Sequence, residues 1–251
     1  YLGFITPNTW KLIESAKLFR NVLLNSNYQA VQIIQHLNKV FADATVDCDT
    51  LILKKCNSKE DINILFMNGY NIEKHHYVAK KTVTEQDYIN LFMSQDDYDL
   101  KAKIISKSVF VKDEFIIKNG VKPYEKGKGK PAQTEQTMKD KPFTSEIKLD
   151  DSFSPLIGGS YFNKYQILWN NNYWIQYGEW LAAPRDKEIF NEEEKLIFRQ
   201  TSDSIIGSYI TSGFIMRDNT HILLNNKESN FNLKCVLALL NSKLTDWFYW
   251  T

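Results

Sequence analysis

The strongest constraint lies near the start of the chain, where three apolar runs are separated by one stretch of helical spacing. "YLGFITP" (1–7) reads as a short buried strand closed by a proline. Asn8 or Thr9 then stands where a helix N-cap belongs. Leu12, Ile13, Ala16, Phe19 and Leu23 recur on one side of a helix running to about Leu24. The runs "AVQIIQHL" (30–37) and "DTLILKK" (49–55) follow as strands on either side of the turn "FADAT". Strand, helix, strand and strand is α/β wiring, and near-continuous apolar runs predict a sheet covered on both faces. Three strands cannot make such a sheet alone, so this half reads as the α/β tail of a larger doubly wound domain.

Two more strands, "INILFM" and "HYVAKK", complete a first region over residues 1–81. In "TVTEQDYINLFMS", Thr82 and Glu85 have the spacing of a capping box. That predicts a helix to about Met93, bridging through residues 82–107 to a second domain over 108–251. There "VFVKDEFIIKNG" alternates like a strand and opens into a loop. After a dense aromatic stretch come short β segments, "KLIFRQT", "IIGSYIT", "GFIM" and "HILL". A final helix, "FNLKCVLALLNSKLTDWFYW", is apolar on most sides. The second domain is therefore expected to be α+β, with mixed short strands and a C-terminal helix.

The 251 residues suffice for one large domain or two small ones. Tyr1 opens directly in an apolar run and Thr251 directly follows "WFYW", which reads as an internal or C-terminal piece of a longer protein. The net charge of +1 excludes nothing as a total; only its distribution matters. Three cysteines without a CxxC pair point to a reducing compartment and away from disulfide or zinc frameworks. The four histidines have no metal-ligand spacing, so no metal site is expected. No run of about 18 apolar residues and no signal peptide is present, so neither a membrane-spanning helix nor a membrane partner is expected. A cytoplasmic location follows from those expectations.

"NGVKPYEKGKGKPAQT" (119–134) is the segment with the most to decide. Seven lysines lie between Lys107 and Lys130, against Asp113, Glu114 and Glu125. A phosphate-binding Walker loop fails on spacing: Gly127-Lys128 is followed by glycine and Gly129-Lys130 by proline, where Ser or Thr is needed. A solvated linker and a nucleic-acid loop both remain open. In the second case, glycine lets backbone amides approach phosphates, lysine neutralises them, and Tyr124 can stack or hydrogen-bond.

Trp169, Tyr173, Trp174, Tyr177 and Trp180 can form a stacking platform or a core. Asp186 with Glu193-x-Lys195 has some likeness to a metal-dependent nuclease site, but the segment reads as a loop and a charged helix start. Arg199 and Gln200, at the end of a strand, are side-chain types that read guanine and adenine edges bidentately. No GxSxG, HExxH or Cys–His nucleophile pair occurs, so no catalytic residue is assigned.

Taken in order, these features resemble a known family. "GFITPNTWKLIESAKLFRNVLL" and "VFADATVDCDTLILKK" resemble the end of the catalytic domain of adenine-specific DNA methyltransferases of the TaqI-like and type IIG restriction–modification group. "GVKPYEKGKGKP", "PLIGGSYFNKY", "YGEWLAAPRD", "LIFRQTSD" and "ALLNSKL" resemble its C-terminal specificity domain.

The resemblance implies a bacterial restriction–modification enzyme that methylates a flipped-out adenine from S-adenosylmethionine. Its cofactor and Asn-Pro-Pro-Tyr motifs belong upstream, so no cofactor is expected in this segment, which alone should not methylate. The implied partners are double-stranded DNA and a missing N-terminal methyltransferase region, with or without a nuclease module. The family's base-stacking aromatic falls at Phe41, which a strand-edge core role also explains. Phosphate contacts are assigned to Lys122, Lys126, Lys128 and Lys130, with Tyr124 beside them, and to Asn163 and Lys164. Base-edge contacts are assigned to Arg185, Arg199 and Gln200. On this reading 119–134 is a mobile loop that orders on the DNA backbone. The contrasting reading is an aromatic-rich carbohydrate- or protein-binding module with no nucleic-acid role.

Overall fold

Residues 1–108 and 109–250 form two compact units in the computed structural model, which describes residues 1–25, 28–43, 45–55, 61–84, 88–226 and 231–251. The first unit holds β1 (Leu2–Pro7), α1 (Lys17–Asn25), β2 (Tyr28–His36), β3 (Cys48–Lys55), β4 (Ile62–Asn68) and β5 (Asn71–Val78), then α2 (Lys80–Thr84) and α3 (Gln95–Lys107). Its five strands run in the order β1-β3-β2-β4-β5. β3 pairs antiparallel with both β1 and β2, so those two share a direction and α1 is the crossover between them. β2 and β4 are parallel, and β5 closes the sheet antiparallel.

The expected strands are all present, but the sheet is mixed rather than parallel and doubly wound. Burial alternates along β3 and β4 instead of being continuous, because one face carries the core. Ile33, Leu51, Ile62, Ile64 and Phe66 line that face beneath Leu23, Leu24 and Trp10.

The first helix also starts later than its spacing predicts. Residues Asn8–Lys11 and Glu14–Ala16 form two tight 3-10 turns without a side-chain cap, and Leu12 and Ile13 stay exposed. The buried Arg20 guanidinium explains the break. It donates to the carbonyls of Trp10 and Ile13, both at 2.8 Å, satisfying groups that a continuous helix would have bonded internally.

The expected Thr82–Glu85 capping box lies outside the described residues at Glu85. No helix covers 88–93: alternate residues Ile89, Leu91 and Met93 are buried there. The helix instead begins at Gln95, behind a box formed by Ser94 and Asp97. The Ser94 amide donates to the Asp97 carboxylate at 2.8 Å, and the Asp97 amide donates back to Ser94 Oγ at 3.3 Å.

The second unit follows with α4 (Val111–Glu114), β6 (Phe115–Asn119), α5 (Glu135–Asp140), β7 (Thr144–Ser145), β8 (Phe153–Ile157), β9 (Phe162–Asn163), β10 (Gln166–Ile167) and β11 (Trp174–Gln176). After them come α6 (Glu188–Asn191), β12 (Lys195–Arg199), β13 (Gly207–Ile210), β14 (Ile215–Met216), β15 (Thr220–Asn225), α7 (Leu233–Leu240) and α8 (Lys243–Trp250). One four-stranded sheet runs β13-β12-β15-β6, all antiparallel, and another runs β14-β8-β11-β7. Leu156, Ile157, Phe162, Ile175, Leu181, Ile197, Met216 and Ile222 form its main core. Leu233 and Leu237 of α7 cover Phe115, Leu196 and Leu223.

The single terminal helix expected from sequence is two helices. Asn241 breaks it by pairing both ways with the backbone of Gly207, its Oδ1 accepting from the amide and its Nδ2 donating to the carbonyl, each at 2.9 Å. No helix among the described residues is long and apolar enough to cross a membrane.

Candidate nucleic-acid interface

The 119–134 loop is fixed rather than mobile. Gln133, only 5% exposed, holds it from inside. Its side-chain amide donates to the carbonyls of Pro123 and Trp180, both at 2.8 Å, and its Oε1 accepts from the Glu125 amide at 2.9 Å. The backbone adds bonds from Gly127 to Gln133, from Gln133 to Lys128 and from Lys130 to Glu179. Gly129 has φ +84°, and a Cβ there would sit 2.3 Å from the Trp180 carbonyl oxygen. Only glycine allows that approach.

The loop's charge is largely matched. Lys122 pairs with Glu125 at 2.7 Å, Lys126 with Glu135, and Lys130 with Glu179 at 3.7 Å. The hydrogen bond from Lys122 raises its own basicity and lowers the Glu125 carboxyl. Lys128 is exposed, and its charge acts on the Glu125 carboxyl without a close ion pair. Such exposed pairs are weak, so a phosphate can replace the carboxylate. Tyr124 is half-buried and stacks on Phe143 at 5.6 Å; its hydroxyl accepts from the Phe143 amide and meets Thr144. It braces the loop through these contacts.

Four segments meet beside this loop. Gly120 and Val121 bond to Thr220 and Met216, Arg217 bonds to Ile157, Asp218 to Val121, and Gln200 to Asn219. Gly120 is obligatory there, since a Cβ would lie 2.2 Å from the Arg217 carbonyl. Arg185, itself at φ +65°, ties its Nε to the Gly120 carbonyl at 3.2 Å. Lys122 and Ala183 form a bridge next to it. Lys122, Arg185 and Gln200 are therefore carried on one connected framework, and the turn between β14 and β15 adds Arg217 and Asn219. Arg217 donates to the Tyr173 hydroxyl at 3.1 Å and lies 3.4 Å from Asp218. Sequence reading missed this turn; its only signal is the polar run "RDN" between two strands.

The remaining assigned residues divide. Arg199 is half-buried, and its Nη2 donates to the Phe162 carbonyl at 2.6 Å and to Asn163 Oδ1 at 3.1 Å. Both Nη2 hydrogens are thus committed and Nε is enclosed, so Arg199 cannot present the fork needed to read guanine. Asn163 serves as its acceptor. Gln200 is exposed, with no side-chain partner among the described residues. Lys164 is withdrawn: its ammonium bonds the Asn241 carbonyl at 2.9 Å and Asp246, joining the β9–β10 hairpin to the terminal helices. That bond holds the Asp246 carboxyl below its ordinary range.

The aromatic cluster is frame. Trp169 meets Trp174 and Phe214 edge-on and donates to the Tyr173 carbonyl at 2.8 Å. Tyr173 stacks on Tyr161 at 5.1 Å, Trp180 packs on Phe143, and the Tyr177 hydroxyl holds the Arg185 carbonyl. Lys195 has no nuclease geometry: it is fully buried, donating to the carbonyls of Phe190 and Glu192. Burial lowers its pKa to about 8, against the attraction of Glu192. In the first unit Phe41 is 49% exposed on the loop between β2 and β3.

Residues 154–251 match the family model of the TaqI-like C-terminal specificity domain, the family that the sequence motifs resemble. No curated protein matches the chain. Among solved structures, it is similar to the type IIL restriction-modification enzyme MmeI in complex with DNA, with a TM-score of 0.49 and 13% identity over 97% of this chain and 35% of that one. It is also similar to the type IIG restriction endonuclease BpuSI, with a TM-score of 0.35 and 10% identity over 95% of this chain and 36% of that one. The chain spans about a third of the length of each.

Proposed function

We propose that the chain is the sequence-recognition part of a restriction–modification DNA methyltransferase and binds duplex DNA through its second unit. The match of residues 154–251 to a TaqI-like specificity domain carries this reading. Gln200 and the guanidinium edge of Arg185 read bases; Lys122, Lys126, Lys128 and Lys130 hold the backbone, the first, second and fourth of them exchanging their carboxylates for phosphates. Arg199 acts through its charge.

In the same reading, residues 1–81 are the last strands of an adenine-specific methyltransferase domain. What supports this is β3, inserted antiparallel between β1 and β2 after their α1 crossover. The second unit clamps the duplex against that domain. The exposed Phe41 stacks on the flipped adenine, whose removal from the helix gives access to its amino group. S-adenosylmethionine binds an upstream region of the longer parent, which carries the methyl-transfer residues in the cytoplasm of a bacterium, with or without a nuclease. A carbohydrate-binding module is disfavoured because its would-be platform is packed into the frame.

The test is duplex binding by the chain across a salt series. Affinity should fall steeply with salt, by about one log unit per log salt for each phosphate held. Binding that is absent or salt-insensitive would refute the proposal.

A further inference from the structure

Between the Gly158-Gly159 turn and the β14–β15 turn lies an open cleft of about 390 Å³, lined by Gly159, Ser160, Arg199, Thr201 and Asn219. Among the described residues no carboxylate lines it. Its polar atoms have a consistent polarity. Asn219 Oδ1 accepts from the Gly159 amide at 3.1 Å, which fixes the amide's orientation and leaves Nδ2 as the outward group. Arg199 spends Nη2 and encloses Nε, leaving Nη1 and the positive charge. Ser160 and Thr201 are exposed hydroxyls with no partner among the described residues.

A cation, an amide donor and two rotatable hydroxyls around a carboxylate-free hollow suit an oxyanion with several acceptor oxygens. They suit a base edge poorly, since a base offers at most two adjacent acceptors there and its plane needs a fixed fork. The cleft is also braced: Gly159 lies against Asn219 and Arg199, where an added Cβ would already touch Arg199 Cγ at 3.6 Å, and the Gln200 amide bonds the Asn219 carbonyl.

We infer that this cleft is a phosphate seat, formed by Arg199, Asn219, Ser160 and Thr201, that takes one backbone phosphodiester of the duplex. The inference rests on the DNA-recognition reading above. It makes Asn219 and Thr201 anchoring residues, setting the register in which the neighbouring Gln200 meets a base. Phosphate contacts commonly fix register in this way without carrying sequence information.

The experiment uses the full chain and two variants. Asn219→Asp keeps the Oδ1 acceptor for Gly159 but turns the outward donor into an anion. Ser160→Ala/Thr201→Val removes both hydroxyls without adding charge and guards against a folding defect, which thermal melting also checks. Each variant should lose affinity by a similar factor on every duplex; Asn219→Asp, which adds a negative charge, should lose about tenfold with a salt slope shallower by about one, while the double variant keeps the Arg199 charge and its slope. A loss confined to the preferred sequence, or unchanged affinity and slope, overturns the seat.

Titration with inorganic phosphate, read from the amide resonances of Ser160 and Thr201, separates the two readings. If the unaltered chain binds no duplex, the recognition reading fails. Phosphate-dependent shifts abolished in Asn219→Asp then retain the cleft as a site for free phosphate, and their absence removes it.

Discussion

The side-chain amide of Gln133 donates to the carbonyl of Trp180 at 2.8 Å, across 47 residues of sequence, and so fastens the lysine loop to the aromatic frame. A loop rich in glycine, lysine and proline is thereby held in one conformation before any ligand arrives. Gln133→Leu leaves buried partners at Pro123, Glu125 and Trp180 without their bonds. It should destabilise the second unit by about 1–3 kcal/mol. Denaturant unfolding measures this, and proteolysis within 119–134 should accelerate in parallel.

The two left-handed glycines of the loop should respond differently. Gly127 has φ +79° with open space around its Cβ position, so Gly127→Ala meets only backbone strain, about 1–2 kcal/mol. Gly129→Ala adds a collision with the Trp180 carbonyl, worth about a further 1–3 kcal/mol. Comparison of the two unfolding midpoints checks the geometry of the loop against Trp180.

Much of this was beyond the reach of sequence. The strands of the first unit were legible because apolar runs and β-branched residues announce them. Its helices were less so: where the spacing predicts a helix to Met93, alternate residues Ile89, Leu91 and Met93 are buried instead, and the helix begins behind the Ser94–Asp97 box. The lysine loop was legible as a feature, but not its state: Glu179 and Trp180, which neutralise and fasten it, come much later in the chain. Likewise nothing local marks Lys164 as the partner of Asp246 or Asn241 as the partner of Gly207. Of the specificity-domain motifs, those from "PLIGGSYFNKY" onward fall within the matched residues 154–251, whereas "GVKPYEKGKGKP" precedes them.

Lys164 provides a direct contrast with the loop lysines. Lys164→Met should lower the melting temperature while leaving the salt slope of duplex binding unchanged, because its ammonium is committed to Asp246 and the Asn241 carbonyl. Since the pair depresses the Asp246 carboxyl, its stabilisation is present above the ordinary carboxylate range and is lost as pH falls through the depressed value. Acid unfolding curves of Lys164→Met should lack that component.

Lys195 gives a dependence at the other end of the scale. Burial lowers its pKa from 10.5 to about 8, so the folded chain releases this proton before the unfolded chain does. Between those values the unfolded state binds more protons, and stability rises with pH. Lys195→Met should flatten that rise, as read from unfolding midpoints across the window.

Duplex sequence recognition by the second unit is tested most directly by selecting from a randomised duplex pool with the chain and with Gln200→Ala. The account predicts that the unaltered chain enriches one motif. Gln200→Ala should relax preference at one position of that motif by about 1–3 kcal/mol, with little loss on other sequences. A pool that emerges unenriched, or a Gln200→Ala profile identical to that of the unaltered chain, would contradict it.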